Sequence, residues 1–368
     1  MSTRKRPKKT VTIADVAREA GVSTATAGRV LGEYGYSSNE IGEKVRSTAA
    51  ALGYRPNLLA RGLITGKTRT IGVIAGDIQS PFYSGIVRGI ADIARNHGFG
   101  VIITNSDETL EREVESVRLL LEKQVDGLIV APADQANAEH LQQAIESGCP
   151  IVQIDRIVSG LPADSVTIDN RGAAKACVSH MIAIGHRRIG MIAELVRSDF
   201  GDDVADFVRA VGASAVDERS LLPSWQRLYG YVEAHLEQGV ALDVELVSRV
   251  GIYSASAAAR ATTQVVQLAA RPTAIFTADG LMSAGAMEAI TALGLRVPTD
   301  ISVTCFDDLD WMKFLTPGIT AVAQPLTELG EIAASLMLAR IEGGDDGVEQ
   351  HRVLTASLTV RGSVVSPA

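Results

Sequence analysis

The sequence predicts an α/β protein with three parts: a small basic helix-turn-helix head, a short hinge, and a large body of parallel sheets covered on both faces by helices. Three observations carry this. First, charge is segregated within a chain of 368 residues and net charge −8. Residues 1–70 hold 13 Lys and Arg against 5 Asp and Glu, a net of +8, and the remainder holds 22 against 38, a net of −16. Second, apolar residues fall at helical spacing on both sides of a glycine between Val11 and Leu31. Third, from Thr70 onward short apolar runs alternate with amphipathic stretches, which is how parallel sheets with helical crossovers read.

Composition narrows the class. With 46% hydrophobic and 21% charged residues the chain is globular rather than disordered. It lacks the run of about 18 apolar residues that a membrane helix needs. The basic start (Arg4, Lys5, Arg6, Lys8, Lys9) leads into polar Thr-Val-Thr-Ile-Ala-Asp, so no secretory signal is expected. Cys149, Cys177 and Cys305 are odd in number and far apart, which suggests free thiols and a reducing cytoplasm. A basic head on an acidic body suggests a polyanion-binding module joined to something that must not bind polyanions.

In the head, Ile13, Val16, Ala17 and Ala20 share a helix face, and Gly21 is a natural stop. Val22 plugs the turn, and Ser23 can cap a second helix over Thr24–Leu31. A third helix is expected from a cap near Ser38, with Ile41, Val45, Thr48 and Leu52 on one face and a stop at Gly53. Three such helices form a simple scaffold for placing one of them in a DNA major groove. The next segment, residues 57–66, is too short for a stable isolated helix, and Gly62 weakens it further. Its end, Gly62–Thr68, mimics a phosphate loop, but it has three residues between its glycines where four are needed and no strand precedes it.

In the body, strands are expected at Thr70–Ala75, Gly100–Thr104, Gly127–Ala131, Ile151–Ile154, Ser165–Ile168, Ile189–Ala193, Ala274–Thr277 and Ser302–Phe306. Helices between them include Ser84–His97, Leu110–Gln124 and Ala138–Ser147. No Gly-x-Gly-x-x-Gly follows the first strand, so a dinucleotide site has no support. Ligands in such sheets bind beyond the carboxyl ends of the strands. The polar residues there are Asp77 with Phe82, Tyr83 and Ser84, then Asp107, Asp134, Asp155 with Arg156, Asp279, and Asp307 with Asp308. Arg227 opens a later helix.

These strings carry a family resemblance along essentially the whole chain. TIADVAREAGVSTATAGRVL and LGYRPNLLARGLITGKT resemble the DNA-binding signature and hinge of the lactose/galactose repressor family. HRRIGMI, PTAIFTADGLMSAGAMEAI, LGLRVPTDISVTCFDD and LTPGITAVAQP resemble landmarks of that family's periplasmic-binding-protein-like effector domain. The resemblance implies a head at 1–56, a hinge helix and linker at 57–69, and a two-lobed effector-binding and dimerisation body at 70–368 with two doubly wound sheets. Lobe 1 is expected at about 70–166 plus 324–346, and lobe 2 at about 167–323 plus 350–364. The chain is then expected to cross between lobes near 166–170, 321–325 and 344–350.

The resemblance also implies partners and sites. Double-stranded operator DNA would meet Thr12, Ser23, Thr24, Ala25, Thr26 and Arg29 in the head, and Asn57, Ala60 and Leu63 in the hinge, with Leu63 as a minor-groove wedge. Ala27 and Gly28 replace the family's usual Val-Ser, and Gly28 costs the helix roughly 1 kcal/mol relative to Ala. The effector set would be Phe82, Tyr83, Ser84, Asp134, Asp155, Arg156, Arg227, Asp279 and Asp307. Carboxylates, a guanidinium and aromatic faces suit a sugar or related polyol, although Arg156 and Arg227 could instead bind a carboxylate or phosphate. Ala278 stands where the family commonly has Asn.

The stretch from His186 to Arg227 is longer than the family suggests, and Leu195–Ser224 reads as an inserted helix near the cleft mouth, either a surface elaboration or a lid. Cys177, His180 and His186 lack the second ligand pair of a metal site and read as a core thiol with helix-end histidines. No nucleophile–base set converges on one strand end, so no enzyme and no cofactor is expected. A transport receptor would explain the body but not the head. The expected function is therefore a ligand-responsive, sequence-specific DNA-binding repressor. The resemblance implies a homodimer, and a tetramer built on a C-terminal coiled coil is not expected, because no leucine heptad follows the strand-like 354–361. Its partner surface is expected on helices Ser84–His97 and Leu110–Gln124.

Overall fold

The computed structural model describes residues 11–32, 37–54, 67–196, 203–343 and 347–367. Asn57, Ala60 and Leu63 lie outside the described residues. The chain divides into two units, residues 1–70 with 124–126 and residues 71–123 with 127–368.

In the first unit, α1 (Ile13–Ala20), α2 (Thr24–Gly32) and α3 (Asn39–Ala51) pack around Val16, Ala17, Ala20, Ala27, Val30, Val45 and Ala49. A reciprocal Thr12–Asp15 capping box starts α1: the Asp15 N–H donates to the Thr12 hydroxyl, and the Thr12 N–H donates to the Asp15 carboxylate at 3.0 Å. Gly21, at φ 67°, ends α1 in the left-handed conformation that glycine adopts without steric cost. Ser23 caps α2 by accepting from Thr26 N–H at 3.0 Å, and Ser38 caps α3. One expected core position moves: Ile41 is exposed and Gly42 is buried in its place.

The second unit holds two six-stranded sheets. The first contains β1 (Thr70–Ala75), β2 (Gly100–Asn105), β3 (Gly127–Val130), β4 (Ile151–Ile154), β5 (Asp164–Ile168) and β11 (His351–Leu354). The second contains β6 (Ile189–Ala193), β7 (Val247–Arg249), β8 (Ala274–Thr277), β9 (Ser302–Phe306), β10 (Thr320–Ala323) and β12 (Ser357–Thr359). Their orders, β11-β5-β4-β3-β1-β2 and β12-β10-β9-β8-β6-β7, match position by position, so the two lobes repeat one topology. β4 and β9 are equivalent, as are β1 and β6. Central strands such as β3, β6, β8 and β9 are buried along their whole length, as parallel strands covered on both faces must be. β12 alone among the described pairings runs antiparallel, against β10.

The helices are α4 (Pro81–Asn96), α5 (Leu110–Glu122), α6 (Glu139–Glu146), α7 (Asn170–Ile184), α8 (Val204–Gly212), α9 (Pro223–Glu237), α10 (Ala255–Val266), α11 (Gly280–Ala292), α12 (Asp310–Phe314) and α13 (Leu326–Glu342). Close helix pairs meet at glycines. A Cβ on Gly330 of α13 would strike the Ile86 carbonyl of α4, and one on Gly230 of α9 would strike the Arg171 carbonyl of α7. That approach buries Ile86 and Ile90 of α4 within the first lobe. The expectation that Ser84–His97 offers an apolar partner surface is therefore corrected, because α13 already covers that face. Exposed apolar side chains instead lie on edge strand β2 (Ile102, Ile103) and on α5 (Val114, Leu119).

The chain passes between the lobes after β5, after β10, and between Leu354 and Ser357. The last crossing corrects the expectation of 344–350, because His351–Leu354 still pairs with β5 of the first sheet. The cause is the buried carboxylate of Asp164, which needs donors. It accepts two bonds from Arg340 at 2.7 and 2.8 Å and one from Gln350 N–H at 2.7 Å, pinning the returning chain to lobe 1. The inserted stretch folds as α8, capped by Asp203 and docked through fully buried Phe207, whose ring centroid lies 5.0 Å from that of Trp225. Trp225 in turn donates to the Val196 carbonyl at 3.2 Å. Among the described residues no helix is long and apolar enough to cross a membrane.

Candidate functional site

On the head, Thr24, Ala25 and Arg29 are exposed on α2, while Ala27 and Val30 turn inward. The Arg29 Nε lies 3.5 Å from the Ala25 carbonyl, so the guanidinium runs along the exposed face. Ser23 and Thr26 share a hydroxyl bond at 2.8 Å at the start of α2. The Thr12 hydroxyl donates to Asp15 at 2.7 Å as part of the α1 cap. An exposed helix N-terminus beside small polar residues and an arginine presents donors to an anionic backbone and to base edges.

The body's site is the cleft between lobes, lined from the first by Asp77, Ser80, Phe82, Tyr83, Glu108, Asp155 and Arg156. From the second come Glu194, Val196, Leu222, Pro223, Ser224, Arg227, Tyr253, Asp279 and Asp307. Two carboxylates mark the repeat of topology. Asp155 follows β4 at φ 67°, and Asp307 follows the equivalent β9 at φ 71°. Both occupy the left-handed region, which Asp tolerates better than most side chains. Asp307 accepts from Gly280 N–H at 3.0 Å and from the Gln324 amide, tying β9, α11 and the second crossing together. Asp279 caps α11, accepting from Leu281 and Met282 N–H, both at 2.8 Å.

The two guanidiniums are held differently. Arg227 is buried, donates to Asn170 Oδ1 at 2.9 Å and to the Ala278 carbonyl at 2.6 Å, and lies 3.8 Å over the Phe306 ring. Arg156 pairs with Glu108 at 2.7 Å. Burial raises the Asp155 carboxyl to about 6 against the pull of Arg156 and Arg227. Burial likewise raises Asp279 to about 6, and burial with the nearby Glu108 and Asp279 charges raises Glu194 to about 7. Burial and the surrounding carboxylates push the Tyr253 phenol up as well.

Of the effector positions expected from the sequence, Phe82, Tyr83, Asp155, Arg156, Arg227, Asp279 and Asp307 line this one cleft. Ser84 and Asp134 do not. The Ser84 hydroxyl donates to the Pro81 carbonyl, and the Asp134 carboxylate holds its own loop through Ala136 N–H and the Asn137 amide. Sequence reasoning missed Ser80, Glu108, Glu194, Ser224 and Tyr253. Glu194 follows the expected strand Ile189–Ala193 directly, so the strand-end rule applied there would have found it.

Residues 12–57 match the lacI family of bacterial regulatory proteins, and residues 178–364 match the periplasmic binding protein-like domain. The chain is 32% identical to the HTH-type transcriptional repressor CytR of Escherichia coli strain K12 over 363 residues, 98% of both chains. Among solved structures, a lac repressor dimer bound to operator and the anti-inducer ONPF superposes with a TM-score of 0.78 at 27% identity, covering 97% of this chain and 100% of that one. A complex of the transcriptional regulator CelR with cellobiose gives a TM-score of 0.67 at 28% identity, covering 96% of this chain and 99% of that one. With matches to both parts and a relative alike over nearly its whole length, the chain belongs to the lacI family of bacterial regulatory proteins.

Proposed function

We propose that this protein is a cytosolic homodimeric repressor whose grip on operator DNA is set by a small hydroxyl-bearing metabolite bound between its lobes, and that it does no covalent chemistry on that metabolite. The observation that carries this reading is the pairing, in one chain, of a helix-turn-helix head with a polar cleft lined from both lobes. In this reading Thr24, Ala25 and Arg29 read bases, while Ser23, Thr26 and Thr12 meet phosphates. Asn57, Ala60 and Leu63, outside the described residues, act in the minor groove. The lac repressor dimer on its operator and the CelR–cellobiose complex support the DNA, dimer and sugar-like parts of the reading. Exposed Ile102, Ile103, Val114 and Leu119 favour β2 and α5 as the self-complementary dimer face.

The switch follows from the three crossings. A ligand that touches both lobes favours the closed form only by its differential affinity for closed over open. A coupling of about 1–3 kcal/mol would change operator affinity roughly 5–150-fold. Selection of bound DNA from a random pool by the full-length chain tests the reading, and a two-fold symmetric site should emerge. Failure to enrich any sequence would overturn it.

A further inference from the structure

One edge of the first sheet lacks a cover that its counterpart in the second sheet has. In the second lobe, Cys305 of β9 and Ala321 of β10 are register partners. They share a buried cluster with Met312 of α12, the helix that joins those two strands. The equivalent connection in the first lobe, from β4 to β5, forms no helix. The corresponding row there is Gln153 of β4, Ser165 of β5 and His351 of β11, in register and therefore on one face of the sheet. The other face is apolar and covered, since Val152, Ile154, Val166 and Ile168 cluster with Ala333 and Met337 of α13. Parallel sheets normally have both faces covered, so the polar face with no helix over it is an exception.

A cavity of about 610 Å³ opens at that face, lined by Gln153 and His351. Ile157, Val158, Leu161, Leu221 and Val353 give it an aliphatic wall, and it has only Asp155 and Arg156 in common with the effector cleft. Its size is that of a small-molecule site. Gln153 is fully buried, and its Oε1 accepts from Val158 N–H at 2.7 Å. Its Nε2 has no hydrogen-bond partner among the described residues. Leaving a buried donor unmade is costly, so the site calls for an acceptor. The charge of Arg156 is already matched by Glu108 at 2.7 Å and Asp155 at 3.6 Å, and Asp217, Glu218 and Glu349 add acidic side chains to the lining. An uncharged acceptor on an apolar body fits that setting better than an anion. We infer that this cavity is a second small-molecule site, separate from the effector cleft, and that it takes a neutral carboxamide or lactam. The carbonyl accepts from Gln153, and the body packs on the aliphatic wall. Glu218 and Leu221 belong to the inserted stretch, which thereby forms part of a binding wall.

Calorimetry of the full-length protein with four molecules of one skeleton tests this: 3-phenylpropanamide, 3-phenylpropanoate, 3-phenylpropylamine and propylbenzene. The amide should bind at least about tenfold more tightly than the other three. Gln153→Met, which removes the donor, should erase that preference. Val353→Trp, on the exposed edge strand, should fill the cavity and abolish amide binding without disturbing a buried position. Each variant is first confirmed folded by its melting transition, and Val353→Trp alone decides the matter if Gln153→Met does not fold. Binding of the acid, the amine or the hydrocarbon as tight as that of the amide overturns the inference. So does no binding by the amide up to its solubility, or amide binding unchanged in Val353→Trp.

Discussion

Asp307 does three jobs that its substitutions should separate. Its carboxylate accepts the Gly280 N–H, accepts the Gln324 amide, and sits on a backbone at φ 71°. Hydrogen bonds to a charged acceptor are each worth about 1.5–3 kcal/mol net. Placing alanine in the left-handed region costs about 1–2 kcal/mol. Asp307→Ala should therefore destabilise the body by about 3–6 kcal/mol, allowing for non-additivity within one network. Asp307→Asn tolerates the same backbone and can still accept from Gly280 N–H, so its cost should be about 1–2 kcal/mol. At about 2–4 °C per kcal/mol, the alanine variant should melt some 5–15 °C below the asparagine one in a calorimetric scan. Both variants should bind the cleft ligand weakly, because each removes a charge from the lining. An alanine variant melting within about 2 °C of wild type would refute the role of Asp307 as the tie between β9, α11 and the second crossing.

Other outcomes follow from the same structure. Arg29→Ala should cost about 1–3 kcal/mol per half-site and relax specificity at one base pair; equal loss on specific and random DNA would make Arg29 a phosphate contact. Leu63→Ala should reduce operator bending in a circular-permutation assay, and unaltered bending would end the wedge role. Phe207→Ala should cost about 3–5 kcal/mol and expose α8 to protease, whereas unchanged cleavage would mean that Phe207 does not anchor the insert. The raised Asp155 carboxyl, at about 6, binds a proton more tightly in the folded state than the unfolded group with its ordinary value of 3.8. It therefore subtracts stability as pH climbs from about 4 to 6 and subtracts nothing more above that. Asp155→Asn should raise the ligand-free melting temperature at pH 7.5 and flatten its pH slope between 4 and 6, and a lower melting temperature at pH 7.5 would contradict this.

How far the sequence could be read depends on local physics. β1, β4, β6, β8 and β9 coincide with the expected runs, because strands covered on both faces are mostly apolar, short and separated by helical stretches. β7, only Val-Ser-Arg, and β12, only Ser-Leu-Thr, are too short to show any period, and they are strands only because a neighbour pairs with them. The third crossing was misplaced because Asp164 makes its claim on Gln350 across 186 residues, a contact that no local pattern encodes. In the cleft, strand-end carboxylates such as Asp155 and Asp307 were legible because chain order places them there. Asp134 obeys the same rule yet turns its carboxylate onto its own loop, and sequence cannot tell a loop-holding Asp from a cleft-facing one. Tyr253 stayed invisible because it follows β7, the strand that was itself missed.

Fluorescence anisotropy measures directly whether cleft and head are coupled. The full-length chain is titrated onto its selected operator with and without saturating cleft ligand, alongside Asp155→Asn. Ligand should shift operator affinity roughly 5–150-fold for the wild-type chain and leave the variant's unshifted. Identical operator affinity with and without a ligand that calorimetry shows to be bound in the cleft would contradict it.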